Sequence, residues 1–156
     1  MYISVIGGSN CDDKIAETAY RVGKLIAERG AILVCGGLSG VMDAAARGVK
    51  DGGGISVGIL PDKTRERASK YLTIALPTGI GYARNALVTQ AGDVVIAIGG
   101  QYGTLSEIGF ALNVGKSVVG LHTWELKKPG QLLKTVIKAQ TPEEAVDKAF
   151  ELAKEE

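Results

Sequence analysis

Apolar residues in this chain come in short unbroken runs separated by segments with helical spacing. Ile3–Ile6, Ala31–Cys35, Ile55–Leu60, Tyr71–Leu76, Asp93–Ile98 and Ser117–Leu121 read as six strands, and Val136–Ala139 as a short edge strand. Between the first two, Asp12–Arg29 sets Ile15, Ala19, Val22 and Ile26 on one face at the period of a helix. Helices are also predicted over Val41–Lys50, over Tyr82–Ala91 and from Thr104 to about Val114. A last helix opens at Thr141 as N-cap, with Pro142 at the first helical position and Glu144 three residues past the cap. Asp62–Ser69 is charged and without a period, and reads as a loop or a short helix. Strands that are continuously apolar rather than alternating are covered on both faces. The β/α alternation with short connections therefore predicts the α/β class: one Rossmann-like domain over residues 1–156, built on a doubly wound parallel sheet of six to seven strands.

Glycine changes the picture most. There are 22, about twice average usage, with no collagen-like period. Gly7-Gly8, Gly36-Gly37 with Gly40, Gly79 with Gly81, and Gly99-Gly100 with Gly103 each follow a predicted strand. They therefore line the carboxyl edge of the sheet, where open α/β folds bind ligands. Gly52-Gly53-Gly54 precedes a strand and reads as a helix C-cap and turn. The run Ile98-Gly-Gly-Gln-Tyr-Gly-Thr-Leu-Ser-Glu107 stands out: strand, glycine loop, helix N-terminus. Glycines let the backbone approach an anion, and the free N–H groups of the first helical turn point at it, so a phosphate-bearing ligand is expected.

Composition excludes several classes. With 18 basic and 17 acidic side chains the net charge is +1, which provides no electrostatic footprint for nucleic acid or an anionic membrane. Lys127-Lys128, the one basic doublet, reads as a solvated loop. No apolar run approaches the roughly 20 residues of a membrane helix. Met1 leads directly into a strand without a charged n-region or cleavage site, so a cytoplasmic location is expected. Cys11, Cys35 and the single His122 make neither a disulfide framework nor a zinc set, and no metal or cofactor is expected.

Three obvious candidates are largely set aside. Strand one ends in Gly7-Gly8-Ser9-Asn10 rather than Gly-x-Gly-x-x-Gly, and strand two ends without an acidic ribose reader, which argues against a dinucleotide. Gly115-Lys116-Ser117 leaves a helix and enters a strand, and Gly109 lies one residue too far upstream for a P-loop. A nucleophilic triad would need a histidine base, and His122 at a strand end reads as structural. What remains is Arg84 with Glu107. Arg84 falls in the first turn of its helix, where a cation meets the positive end of the dipole and calls for a compensating anion. An ordinary surface ion pair is its other reading. Thr104-Leu105-Ser106-Glu107 also has the spacing of a capping box, with Thr104 as N-cap and Glu107 reaching back, so capping and ligand chemistry both stay open for Glu107.

Ile98–Glu107 resembles the Pro-Gly-Gly-x-Gly-Thr-x-x-Glu signature of the Lonely Guy proteins, cytokinin-activating phosphoribohydrolases long mislabelled as lysine decarboxylases. Cys35-Gly-Gly-Leu-Ser-Gly-Val-Met42 resembles their Gly-Gly-Gly-x-x-Gly-Leu-Met segment, and Arg84 falls where they carry an arginine. The similarity spans roughly residues 1–121. Ile98 replaces the signature proline, Asn85 a lysine and Asp43 a glycine, and the tail from Thr123 departs from the plant-type pattern. The chain thus resembles a divergent branch of a superfamily that also holds molybdenum-cofactor carriers and DNA-processing protein A. The resemblance implies hydrolysis of the N-glycosidic bond of a nucleoside 5′-monophosphate, without metal. It implies phosphate on Gly99, Gly100, Gly103 and Thr104, with Gly36, Gly37 and Ser39 close by and Gly8 and Ser9 in the first loop. Glu107 and Arg84 would be catalytic: Glu107 would hold ribose and water, and Arg84 would orient Glu107 or screen charge. The alternative it implies is a non-catalytic nucleotide or pterin-phosphate carrier or sensor. It also implies a homo-oligomer, dimer or tetramer, paired through helices beside the site. Tyr82 and Phe110 are the interface candidates, with core packing the other reading of Phe110.

Overall fold

A computed structural model describes residues 1–131 and 135–154. The elements run β1 (Tyr2–Gly7), α1 (Asp13–Glu28), β2 (Ile32–Cys35), α2 (Val41–Asp51), β3 (Ile55–Leu60), β4 (Ile74–Pro77), α3 (Arg84–Ala91), β5 (Val94–Ile98), α4 (Tyr102–Asn113), β6 (Val118–Leu121), β7 (Val136–Lys138) and α5 (Pro142–Leu152). A single 3-10 turn, Gly81–Ala83, precedes α3. The strands form one sheet in the order β4-β3-β2-β1-β5-β6-β7, every pairing parallel. This is the expected Rossmann-like α/β fold.

The chain direction reverses between β1 and β5. Successive strands step outward from β1 to β4, and β5 then returns to β1's other side, with Ile6 beside Ala97 and Gly7 beside Ile98. Connections leave these two strands in opposite directions, and the point of reversal is the usual ligand position in open α/β sheets.

Burial follows the period of two that a pleated strand imposes. Ile3, Val5, Val94, Ile96 and Ile98 pack with Val22 and Ile26 of α1, Val49 of α2 and Val146 of α5. Ile6, Val95 and Ala97 face the other way, onto Val88 of α3 and Ile108 and Ala111 of α4. The buried Ser4 hydroxyl donates to Val88 O at 2.6 Å and ties β1 to α3. On the first face, α1 and α2 pack backbone to backbone. A Cβ on Gly23 would fall 2.0 Å from Ala45 O, and one on Gly48 2.0 Å from Tyr20 O.

The structure moves two expected boundaries and decides one open reading. β4 starts at Ile74 rather than Tyr71, because Ser56 and Thr73 exchange hydrogen bonds (Thr73 N–H to Ser56 Oγ at 3.1 Å, Ser56 N–H to Thr73 Oγ1 at 3.0 Å) and hold the preceding residues out of the ladder. Residues 62–69 form no helix. Arg67 is paired with Asp62, Ser69 N–H donates to Gly37 O at 2.8 Å, and Ser69 Oγ to Asp43 Oδ1 at 2.7 Å. The start of α4 also moves, which bears on the site and is taken up below. Among the described residues no helix is long and apolar enough to cross a membrane.

Because the α1–α2 contact leaves no room for a methyl group, Gly48→Ala is expected to lower the unfolding free energy by about 1–3 kcal/mol. Urea unfolding checks this, and an unchanged midpoint would show that the two helices part without cost.

Candidate functional site

The loop after β5 is built from glycines in the left-handed region. Gly99 has φ 54° and Gly100 φ 90°, a backbone that side chains other than glycine rarely adopt. A Cβ on Gly100 would also lie 2.1 Å from Thr104 Oγ1, so the loop folds tightly onto the helix it feeds. α4 starts at Tyr102 with Gln101 as N-cap, and no side chain caps it. Of the two open readings of Glu107 the capping box is therefore ruled out: Leu105 N–H bonds to Gln101 O at 2.9 Å, which places Thr104 and Glu107 inside the helix, both buried. Tyr102, Gly103 and Thr104 replace it as the first turn. Among the described residues the N–H groups of Gly100, Gln101, Tyr102, Gly103 and Thr104 donate to no protein acceptor.

The carbonyls of this loop are fixed from the other side. Thr123 Oγ1 donates to Gly99 O at 2.6 Å, and Trp124 Nε1 to Gln101 O at 3.1 Å. In a trans peptide the N–H points opposite its C=O, so the Gly100 and Tyr102 N–H groups turn away from the residues following β6. Donors are thereby gathered on one side and acceptors on the other, the arrangement an anion needs. No sequence pattern announced Thr123 and Trp124. Their one signal is position, just past the end of a strand that neighbours β5.

The other sequence-predicted residues surround this loop. A Cβ on Gly8 would come 3.7 Å from Gly100 Cα, so the β1 and β5 loops run side by side. Val41 N–H donates to Gly8 O at 3.0 Å, and Ser39 Oγ to Ser9 O at 2.9 Å, fastening the β2 loop to the β1 loop. The Ser39 hydroxyl proton is thus engaged within the protein. Gly36 makes room for Arg84, since a Cβ there would lie 2.7 Å from Nη2. Gly37 packs on Leu60, and its carbonyl accepts from Ser69.

Arg84 and Glu107 are both almost wholly buried, at 6% and 7% exposure. Arg84 Nε donates to Ile59 O at 2.9 Å, Nη2 to Gly36 O at 3.3 Å, and Nη1 to Asn85 Oδ1. Neutral oxygens from three segments therefore hold the guanidinium, in place of the anion its helix position called for. Burial lowers its proton affinity, and the field of Glu107 partly offsets that. The Glu107 carboxyl makes no hydrogen bond or ion pair among the described residues, and its oxygens keep slight contact with solvent. Burial pushes its carboxyl up to about 7, and Arg84 counteracts part of the rise. The Cys35 thiol beneath them is pushed up to about 12 by complete burial and is inert. The exposed Cys11 is not part of this arrangement. A cavity of about 1000 Å³ lies beside β6 and β7, with Trp124, Leu126, Val136 and Lys138 in its wall, and includes neither Arg84 nor Glu107.

The sheet order and the glycine loops define a Rossmann-like α/β protein. More narrowly, the chain belongs to the SLOG cluster4 family, whose model matches residues 1–148. It is 44% identical over 147 residues to an uncharacterized protein of Archaeoglobus fulgidus, covering 94% of this chain and 93% of that one. Among solved structures it is similar to the molybdenum cofactor binding protein from Rippkaea orientalis, with 34% identity, a TM-score of 0.88, and coverage of 97% and 96%. It is also 38% identical over 93 residues to the probable cytokinin riboside 5′-monophosphate phosphoribohydrolase LOGL5 of Oryza sativa subsp. japonica. That match covers 58% of this chain and 38% of the rice protein.

A carboxyl whose folded pKa lies near 7 rather than at its ordinary 4.5 favours the fold while protonated. Below about pH 4.5 both folded and unfolded chains carry the proton. Between about 4.5 and 7 the unfolded chain releases it first, and stability falls as pH rises, by roughly 3 kcal/mol in all. Glu107→Gln is expected to remove this slope, so that the variant is more stable than the wild type at pH 8 and gains little at pH 4.5. Urea unfolding at the two pH values checks this. An equal difference at both would contradict the burial argument.

Proposed function

We propose that the protein binds a nucleoside 5′-monophosphate, or a closely similar phosphate-bearing heterocycle, on the loop after β5, and that it hydrolyses the N-glycosidic bond to free base and ribose 5-phosphate. The observation that carries this reading is Glu107: a buried carboxyl with no partner and a proton affinity near neutrality, beside an unsatisfied anion cradle. Such a group both accepts and returns a proton at working pH. In the ionised state it takes a proton from water and stabilises positive charge on the ribose as the bond to the base stretches. The water oxygen bonds to the anomeric carbon, the glycosidic electron pair leaves with the base nitrogen, and a proton follows it. Phosphate rests on the amides of Gly100 to Thr104, with Gly8, Ser9, Gly36, Gly37 and Ser39 completing the rim. Arg84 sets the field at Glu107 from a rigid mount and takes up no proton itself.

A second reading, a carrier of a pterin phosphate or nucleotide without turnover, is favoured by the full-length likeness to the Rippkaea orientalis molybdenum cofactor binding protein. The test is a panel of nucleoside monophosphates, N6-substituted AMP included, assayed for free base by chromatography. Hydrolysis predicts release that falls at least about 100-fold in Glu107→Gln while binding is kept. No release from any of them, together with thermal stabilisation by a phosphate ligand, would overturn the enzyme reading in favour of the carrier.

A homo-oligomer is part of the same proposal. Arg84 and Glu107 are the only charged residues of α3 and α4, and both are buried. What these helices and the turn before them expose is uncharged, including Tyr82 at 87%, Leu87 at 44% and Phe110 at 45%. Exposed apolar surface of this kind on adjacent helices supports pairing with a second copy. Light scattering is expected to show a dimer or larger, and Phe110→Glu to shift it toward monomer. A monomeric wild type would remove the oligomer from the account.

A further inference from the structure

The stretch Leu121–Trp124, at and just past the end of β6, holds the β5 loop at three backbone groups. Gly99 N–H donates to Leu121 O at 3.0 Å, Thr123 Oγ1 to Gly99 O at 2.6 Å, and Trp124 Nε1 to Gln101 O at 3.1 Å. His122 turns the chain into this contact with φ 49°, the one non-glycine residue in the left-handed region among those described. A Cβ on Gly120 would lie 2.8 Å from Thr123 Cγ2, so the bare glycine seats the threonine methyl and thereby fixes its hydroxyl. Trp124 packs on the cluster that holds Ile6, Val95 and Ile108, which mounts its indole N–H rigidly against the core.

Both contacts act on peptides that end in cradle donors. Gly99 O shares a peptide with Gly100 N–H, and Gln101 O shares one with Tyr102 N–H, and neither N–H meets a protein acceptor. Gly99 and Gly100 both have positive φ, and glycines give the peptide between them little resistance to rotation. A rotated peptide would aim its carbonyl at the anion instead of its N–H, and the Thr123 hydroxyl opposes that rotation. Gln101 O already accepts Leu105 N–H of α4 at 2.9 Å, so Trp124 occupies its second lone pair. A donor on the oxygen of a conjugated amide also strengthens the N–H at its other end, as in any chain of hydrogen bonds.

We propose that Thr123 and Trp124 are positioning residues for the anion. From behind the β5 loop they orient and polarise the two peptides whose N–H groups of Gly100 and Tyr102 grip the phosphate. This rests on the phosphate reading above and assigns part of the affinity to two side chains that never touch the ligand.

Three variants separate donor from shape. Thr123→Val keeps the methyl and loses the donor, Thr123→Ser keeps the donor and loses the methyl, and Trp124→Phe keeps a ring on the core and loses the N–H. Each is titrated with ribose 5-phosphate by calorimetry, and its urea midpoint is measured without ligand. Thr123→Val and Trp124→Phe are each expected to weaken binding about 2- to 10-fold, the worth of one hydrogen bond, and the double variant more than either. Thr123→Ser is expected to bind as the wild type does, even where its urea midpoint falls with the lost methyl. Val binding like the wild type while Ser binds weakly would overturn the proposal in favour of packing alone. Equal affinity in all variants would overturn it while leaving the phosphate cradle standing. A wild type that binds no ribose 5-phosphate would overturn the phosphate reading and this proposal with it.

Discussion

Five successive backbone N–H groups, from Gly100 to Thr104, meet no protein acceptor among the described residues, and the site is organised around that fact. Every helix begins with unsatisfied donors, and most proteins meet them with a capping side chain or with water. Here the β5 loop turns through two left-handed glycines and presents the donors together, while Thr123 and Trp124 bind the carbonyls of Gly99 and Gln101 from behind. The sheet adds its topology, since the same loop opens beside Gly8 at the point where the chain direction reverses. Helix and sheet thus converge on one small region of concentrated positive potential.

That potential bears on the two buried ionisable groups. Arg84 is tethered to oxygens from β3, the β2 loop and Asn85, so its cation stays fixed whether or not Glu107 is charged. Glu107 is tethered to nothing among the described residues, and its charge is set by burial, with Arg84 opposing. The pair is asymmetric, one member rigidly held and the other without a partner among the described residues. A structural ion pair would bring the two groups into contact.

Much of the fold was legible from pattern alone. Both-face burial of β5 shows in Val94–Ile98 as an unbroken apolar run, and the last helix shows in Thr141-Pro142-Glu143-Glu144, with Glu144 N–H bonded to Thr141 Oγ1 at 3.1 Å. Glycines after strands point to the carboxyl edge of the sheet, where the β1, β2 and β5 loops lie side by side. Thr-x-x-Glu has the form of a capping box and so points to a helix start at Thr104, whereas the tight turn at Gly100 lets the helix begin two residues earlier. The β4 boundary was misread because Tyr71 and Leu72 are apolar, whereas a side-chain exchange between Ser56 and Thr73 decides where pairing begins. Thr123 and Trp124 were invisible because their role depends on the register of β6 against β5, a long-range fact no local spacing carries.

The central claim, that the β5 loop is an anion cradle, is tested most directly by following backbone amide resonances of the ¹⁵N-labelled protein during titration with ribose 5-phosphate. The account predicts saturable shifts, largest at Gly100 to Thr104, with smaller ones at Gly8 and Gly36. Shifts spread over surface lysines with these amides unmoved, or no saturable shifts at all, would contradict it.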